Sequence, residues 1–202
     1  MKILVFDTET TWFFDKKDTR LEKQPHIIQF AGILWELKNN SFRELERKDI
    51  FFKPPLPIPY GASKVHHIYD VDVKNADTIE NHIEDLMSFI AQANVIVWHN
   101  IEYDEEMIKI ELLRLQKLHL YNPNQVICTM KSSVEYCALQ WNGNRFKYPK
   151  LWELHKKIFW EYFSWAHDAM TDVIATLQCF LELQKLWIVS LEEKREEIMS
   201  LF

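Results

Sequence analysis

Ile3-Leu4-Val5 is a short apolar, partly β-branched run of the kind that forms a buried strand, and it leads directly into Phe6-Asp7-Thr8-Glu9-Thr10-Thr11. Side chains alternate across a strand. In extended chain Asp7 and Glu9 therefore project from one face, with Cα atoms roughly 6.5–7 Å apart at about 3.3 Å rise per residue. Two carboxylates at the edge of an apolar core repel each other and resist desolvation unless a cation lies between them. Two readings follow: a strand that continues through both acids toward a divalent metal, or a strand that ends at Phe6 with Asp-Thr-Glu-Thr as a solvated turn. The rest of the chain has to decide between them.

The chain has 202 residues, 48% of them hydrophobic, enough for one domain with a substantial core. That domain is expected over residues 1–188. Residues 189–202 read as a helical C-terminal tail, with Ser190-Leu191-Glu192-Glu193 as a capping box ahead of Ile198, Leu201 and Phe202. With 24 basic and 30 acidic residues the net charge is -6, which excludes a nonspecific polyanion binder held by bulk charge. Any contact with nucleic acid must be local or mediated by a cation. Cys128, Cys137 and Cys179 are odd in number and widely spaced, so they read as core residues of a reduced, cytoplasmic protein. Only three glycines occur, with no G-x-G-x-x-G or Walker pattern, which argues against a glycine-cradled nucleotide site. The N-terminal apolar run, broken by Asp7, is too short for a signal peptide, and even residues 173–189 contain Glu182 and Lys185, so no membrane span is expected.

Along the chain, residues 12–25 mix charge without an apolar period and read as a loop. Residues 26–37 form a second strand, Asn39-Asn40-Ser41 a turn, and residues 47–53 a third strand, giving a meander. Pro54, Pro55, Pro57 and Pro59 end the pairing, and residues 65–77 follow as a connector. A helical period covers residues 78–93, Val95-Ile96-Val97-Trp98 is a short buried strand, and residues 103–120 are helical again. A strand at 126–128 precedes helical segments at 129–139 and 150–159, and a last long helix runs over 169–186. The order β-β-β-α-β-α-β-α-α-α predicts an α/β fold, a mixed sheet with helices packed on it.

Two later places repeat the oddity of the first. His99-Asn100-Ile101-Glu102-Tyr103-Asp104 follows the buried strand, so Asp104 stands where a strand gives way to a helix; by itself it reads as a helix cap. Asp168 is a candidate N-cap of the final helix, and Asp172 lies one turn in, among Met170, Val173 and Ile174. Five helical residues separate His167 from Asp172 by about 500°, roughly 140° around the axis, so the two act together only if His167 lies on the loop ahead of the helix. A loop histidine beside a metal-binding acid can reach a water, and its ordinary pKa near about 6.5 suits a general base; the alternative is a solvent-exposed loop histidine.

Together, Phe6-Asp7-Thr8-Glu9-Thr10-Thr11, His99-Asn100-x-x-Tyr103-Asp104 and His167-Asp168-Ala169-x-x-Asp172 resemble the three motifs of the DEDD superfamily of 3′-to-5′ exonucleases, in its histidine-containing DEDDh branch. That branch includes the proofreading epsilon subunit of bacterial DNA polymerase III. The resemblance spans about residues 1–185. It implies a ribonuclease-H-like mixed β-sheet flanked by α-helices, and release of nucleoside 5′-monophosphates from 3′ ends, those of single-stranded DNA foremost. It also implies two Mg²⁺ (or Mn²⁺) ions held by Asp7, Glu9, Asp104 and Asp172, with His167 as general base. Hard divalent ions prefer carboxylate oxygens, and two of them about 3.5–4 Å apart stabilise the attacking and leaving oxygens of a displacement at phosphorus. Thr8, Thr10, Asn100 and Tyr103 fall at the substrate. Ribonuclease T and oligoribonuclease are similar in these motifs and act on RNA, and a polymerase-associated subunit that only binds nucleic acid is a further alternative.

One departure stands out. Where many members have glycine, this chain has Trp12, followed by Phe13 and Phe14. Trp12 either stacks on a terminal base, an interaction worth roughly 1–3 kcal/mol per base, or plugs the end of the sheet. Arg145, Lys147, Lys150, Lys156 and Lys157, interleaved with Phe146, Tyr148 and Trp152, suit the tracking of a single strand, and a solvated helix face explains them equally.

Overall fold

The computed structural model describes residues 1–39, 41–141, 143, 145–161 and 168–191. Lys2–Thr10 (β1), Ile27–Lys38 (β2) and Ser41–Phe51 (β3) form an antiparallel meander. Val95–Trp98 (β4) pairs parallel to β1 and Val126–Cys128 (β5) parallel to β4, giving the mixed order β3-β2-β1-β4-β5. The α-helices of the described residues are Tyr60–His66 (α1), Asp70–Val73 (α2), Ile83–Ala91 (α3), Ile101–Arg114 (α4), Thr129–Ser132 (α5), Val134–Cys137 (α6), Leu151–Phe159 (α7) and Ala169–Lys185 (α8). None of them is long and apolar enough to cross a membrane.

β1 does not end at Phe6. Its ladder continues past both acids, with Asp7 opposite Ala31 and Glu9 opposite Gln29 of β2, which removes the solvated-turn reading. Alternation then sorts the strand into two layers. Ile3 and Val5 pack with Val173, Leu177 and Phe180 of α8 and Leu154 of α7, whereas Leu4 and Phe6 pack with Ile83, Leu86 and Ile90 of α3 and Met107 and Ile108 of α4. Both faces of β1 and β4 are thus covered by helices, which is why these strands read as unbroken apolar runs. Each fully buried aliphatic side chain of this kind stabilises by about 1.5–3 kcal/mol. Gly32 of β2 lies opposite Phe6, and a Cβ there would stand 3.1 Å from atoms of Phe6, Phe30 and Phe89, so its absence lets α3 close onto the sheet.

Several sequence expectations need correction. The third strand starts at Ser41 rather than Arg47 and ends at Phe51. It is an edge strand studded with Arg43, Glu44, Glu46 and Arg47, the charged pattern that guards an open edge and hides apolar alternation. The connector at 65–77 instead takes in the end of α1 and all of α2, which bury Ala62 and Val73 around Ile28, Ile58 and Ile68. The helix expected over 78–93 splits into a 3-10 turn, Ile79–Asn81, and α3. The one expected over 103–120 begins at Ile101 and stops at Arg114, where Gln116 turns left-handed (φ 56°) ahead of the 3-10 turn Leu118–Leu120. The segment at 129–139 divides at Ser133 into α5 and α6. The tail beyond Leu191 lies outside the described residues.

Candidate active site

β1 and β4 run parallel, so their C-terminal ends share one edge of the sheet, and the first turns of α4 and α8 bring Asp104 and Asp172 to it. Open α/β sheets collect ligands at this edge. Asp7 and Glu9 continue the row of Ile3 and Val5 and so face the α8 layer. Asp168 caps α8, its Oδ2 accepting from Thr171 N at 3.0 Å and Thr171 Oγ1 at 2.8 Å, and that start puts Asp172 in the first turn. Carboxylate oxygens of Asp7, Glu9 and Asp172 lie within 4.8 Å of one another.

Asp104 arrives from the opposite layer. The chain leaves β4, turns through Asn100 in the left-handed conformation (φ 73°), and enters α4 with Asp104 as its fourth residue. Asp104 is therefore not a helix cap. Its Oδ1 accepts from Thr8 N at 3.0 Å and from Thr8 Oγ1 at 2.8 Å, which ties the buried carboxylate to β1. Asp104 stands outside the tight trio of oxygens but acts on it through charge, since it is among the charges that raise Asp7 and Glu9. The N-termini of α4 and α8, the positive ends of the two helix dipoles, both favour negative charge here.

Without a cation the arrangement is costly. Burial first, then the charges of Asp104, Asp172 and Glu9, hold the Asp7 carboxyl well above the usual carboxylate range. Glu9 is raised likewise by burial and then by Asp172 and Asp104. Asp104 is pushed up to about 7, mainly by burial, against the lowering effect of the two Thr8 hydrogen bonds. Such mutually raised acids, with convergent hard oxygens, fit a divalent metal centre.

Above the acids opens a cleft of about 430 Å³ with aromatic walls. One wall is Trp12 and Phe13, both largely exposed. Trp12 O lies 2.9 Å from Thr10 Oγ1 and 2.9 Å from Tyr103 Oη, and the two hydroxyls also touch one another, so their two protons are shared among three contacts. Tyr103 in turn meets the Phe13 ring edge-on and the Phe14 ring at a tilt. Tyr148 and Trp152 form a second wall, with Lys150 between them in sequence. His99 braces that wall: Nδ1 lies 3.0 Å from Thr129 Oγ1 and Nε2 lies 3.0 Å from Pro149 O. Burial lowers its pKa to about 4, so the ring is neutral near pH 7, and Nε2 carries the proton because a carbonyl only accepts.

Thr8, Thr10, Trp12, Asn100 and Tyr103 all line this cleft together with Asp7, Glu9, Asp104 and Asp172, while His167 lies outside the described residues. Of the basic run, Lys150 reaches the cleft, Lys147 is paired with Glu153 at 2.5 Å, and Lys157 sits over the Tyr136 ring. A third wall, from Gly61, Val65 and His66 of α1, was missed by sequence reading. Its signal was Pro59 followed by Ala62, Val65 and His66 at helical spacing.

A family model described as exonuclease (RNase T) matches residues 4–180. Among solved structures, the zinc-bound complex of Escherichia coli exonuclease I with single-stranded DNA aligns with a TM-score of 0.68 at 18% identity, covering 92% of this chain and 40% of that one. The nuclease domain of 3′hExo, a DEDDh family member bound to rAMP, aligns with a TM-score of 0.68 at 14% identity over 95% of this chain and 96% of that one. Exonuclease X in complex with 5′-overhanging duplex DNA aligns at 0.54 and 20% identity over 92% and 93%. This chain spans about 40% of the length of the exonuclease I chain it matches. No curated protein sequence matches it.

Proposed function

The chain belongs to the exonuclease (RNase T) family, and from that premise we propose that it removes nucleoside 5′-monophosphates from the 3′ ends of single strands, DNA by preference. The observation that carries the reading is the convergence of Asp7, Glu9, Asp104 and Asp172 at the floor of a cleft walled by aromatic rings. These four carboxylates would hold two divalent ions, Mg²⁺ or Mn²⁺, which supply charge stabilisation to the attacking and leaving oxygens at phosphorus. Thr8 keeps Asp104 aimed by its two hydrogen bonds. His167, immediately ahead of the capping Asp168, accepts the proton of the attacking water in this scheme, as its motif position implies. Trp12, Phe13, Tyr148 and Trp152 offer π-faces to unstacked bases, which suits single strands without selecting sequence. Asn100 and Tyr103 position the strand rather than react.

The DNA preference draws support from the DNA complexes of exonuclease I and exonuclease X. A second reading, an RNA 3′-exonuclease, is favoured by the rAMP bound to 3′hExo. Degradation of 3′-labelled and 5′-labelled single-stranded DNA, duplex DNA and RNA by wild type and by Asp7→Ala separates them. Early release of the 3′ label, fastest from single-stranded DNA and lost in Asp7→Ala, is expected. Faster release from RNA moves the assignment to the second reading, and undiminished release by Asp7→Ala removes both.

A further inference from the structure

Trp12 is held from two sides. Its carbonyl oxygen is fixed by the Thr10 and Tyr103 hydroxyls, each 2.9 Å away. Its six-membered ring lies against Gly61, in the first turn of α1, so closely that a Cβ on Gly61 would stand 2.8 Å from Cζ3 and 2.9 Å from Cη2. Carbon atoms in contact prefer about 3.5–4.0 Å, so a side chain at position 61 displaces one partner. α1 is the firmer of the two, since Pro59 leads into it and Ala62 is buried with Ile58 and Ile68. The indole gives instead: it is 49% exposed toward the cleft, with Phe13 edge-on at 5.8 Å. Glycine is a poor helix residue compared with alanine, and this chain uses only three glycines. Its presence in α1 therefore answers to the ring beside it.

We propose that Gly61 is a positioning residue whose bare Cα sets the plane of the Trp12 indole, and with it the width of the slot for the terminal base. The proposal rests on the reading of this cleft as a 3′-end site. A side chain at 61 pushes the indole into the slot and penalises a 3′-terminal purine more than a pyrimidine, while the carboxylate floor stays as it is.

The test is a mutant cycle: KM and kcat for nucleotide release from single strands ending in dA or dT, measured for wild type, Gly61→Ala, Trp12→Phe and the double variant. Gly61→Ala is expected to raise KM about tenfold for the purine end and about threefold or less for the pyrimidine end, with kcat changed by less than about twofold, a size in keeping with the loss of one base stack. In the Trp12→Phe background the same change adds less than about twofold, because the smaller ring leaves room for the methyl group. Equal increments in both backgrounds, or a loss in kcat rather than KM, would overturn the proposal. Should Gly61→Ala fail to fold, the double variant decides: recovery of the fold when Trp12→Phe removes the crowding ring supports the proposal, and a double variant that also fails to fold overturns it, since the obstacle at position 61 would then not be the indole. A wild type that releases no nucleotide, or an Asp7→Ala variant that releases it as fast, overturns the underlying site reading as well, which separates the two failures.

Discussion

At the scale of single residues the site trades stability for charge. Asp7, Glu9 and Asp104 all have folded-state pKa values above those of an unfolded chain. A raised acid stabilises the fold only while protonated. Its contribution is fully present below the unfolded value, about 4, and is lost as pH rises toward the folded value, about 7 for Asp104. Asp7→Asn should therefore melt higher than wild type in EDTA near pH 7.5, by a few degrees at about 2–4 °C per kcal/mol, and the gap should close toward pH 4 when followed by differential scanning fluorimetry. Mg²⁺ should raise the melting point of wild type and leave Asp7→Asn nearly unmoved. Protons compete with metal for the same oxygens, so titration calorimetry at pH 6 and pH 8 should find weaker Mg²⁺ binding at pH 6. Thr8→Val keeps the shape of the side chain and removes one donor to Asp104. A hydrogen bond to a charged group is worth about 1.5–3 kcal/mol, so the rate of nucleotide release should fall about tenfold or more while the fold stays intact by circular dichroism.

At the scale of elements, two braces join segments far apart in sequence, one behind a cleft wall and one under the loop at 12–25. His99 joins the end of β4 to Thr129 of α5 and to Pro149 ahead of α7. Its lowered pKa gives the opposite pH sign to the acids: its contribution is complete above the unfolded value, about 6.5, and is lost as pH falls toward about 4. His99→Ala should cost about 1–3 kcal/mol by denaturant melting, since it abandons the Pro149 carbonyl while Thr129 keeps its bond to Trp98 O, and should weaken strand binding by loosening the Tyr148–Trp152 wall. The second brace is Arg114, which donates to Leu21 O, Gln24 O and Pro25 O and pairs with Glu111 at 2.9 Å. Burial alone would raise Glu111, yet the His26 hydrogen bond and the Arg114 charge bring it below its ordinary value. Arg114→Ala leaves that buried carboxylate with its main counter-charge gone and should cost about 3–5 kcal/mol in the same melt. Neither brace was legible in the sequence. Arg114 lies 93 positions from Leu21, and such pairings leave no local period to read. The loop at 12–25 was legible as a loop; its anchor was not.

At the scale of the whole molecule, what could be read was what repeats locally. β1 and β4 are buried on both faces and announce themselves as apolar runs, and the acids beside them stand out because such a setting penalises charge. Asp104 and Asp172 both sit one turn into a helix, and single-residue reasoning made a cap of Asp104 because the left-handed Asn100 that starts α4 earlier has no strong sequence cue. β3 was shortened because an open edge selects charge over alternation, and α1 was lost behind four prolines, taking the Gly61 wall with it. A net charge of -6 and a floor of four carboxylates leave the molecule with little general attraction for a polyanion, so under the proposed function cations at Asp7, Glu9, Asp104 and Asp172 would have to reverse the local sign before a phosphate could approach. The most direct measurement is release of mononucleotide from 3′-end-labelled single-stranded DNA by the purified chain in Mg²⁺ and in excess EDTA. The account predicts rapid release with Mg²⁺ and none above background in EDTA, restored by adding Mn²⁺; equal release in EDTA would contradict it.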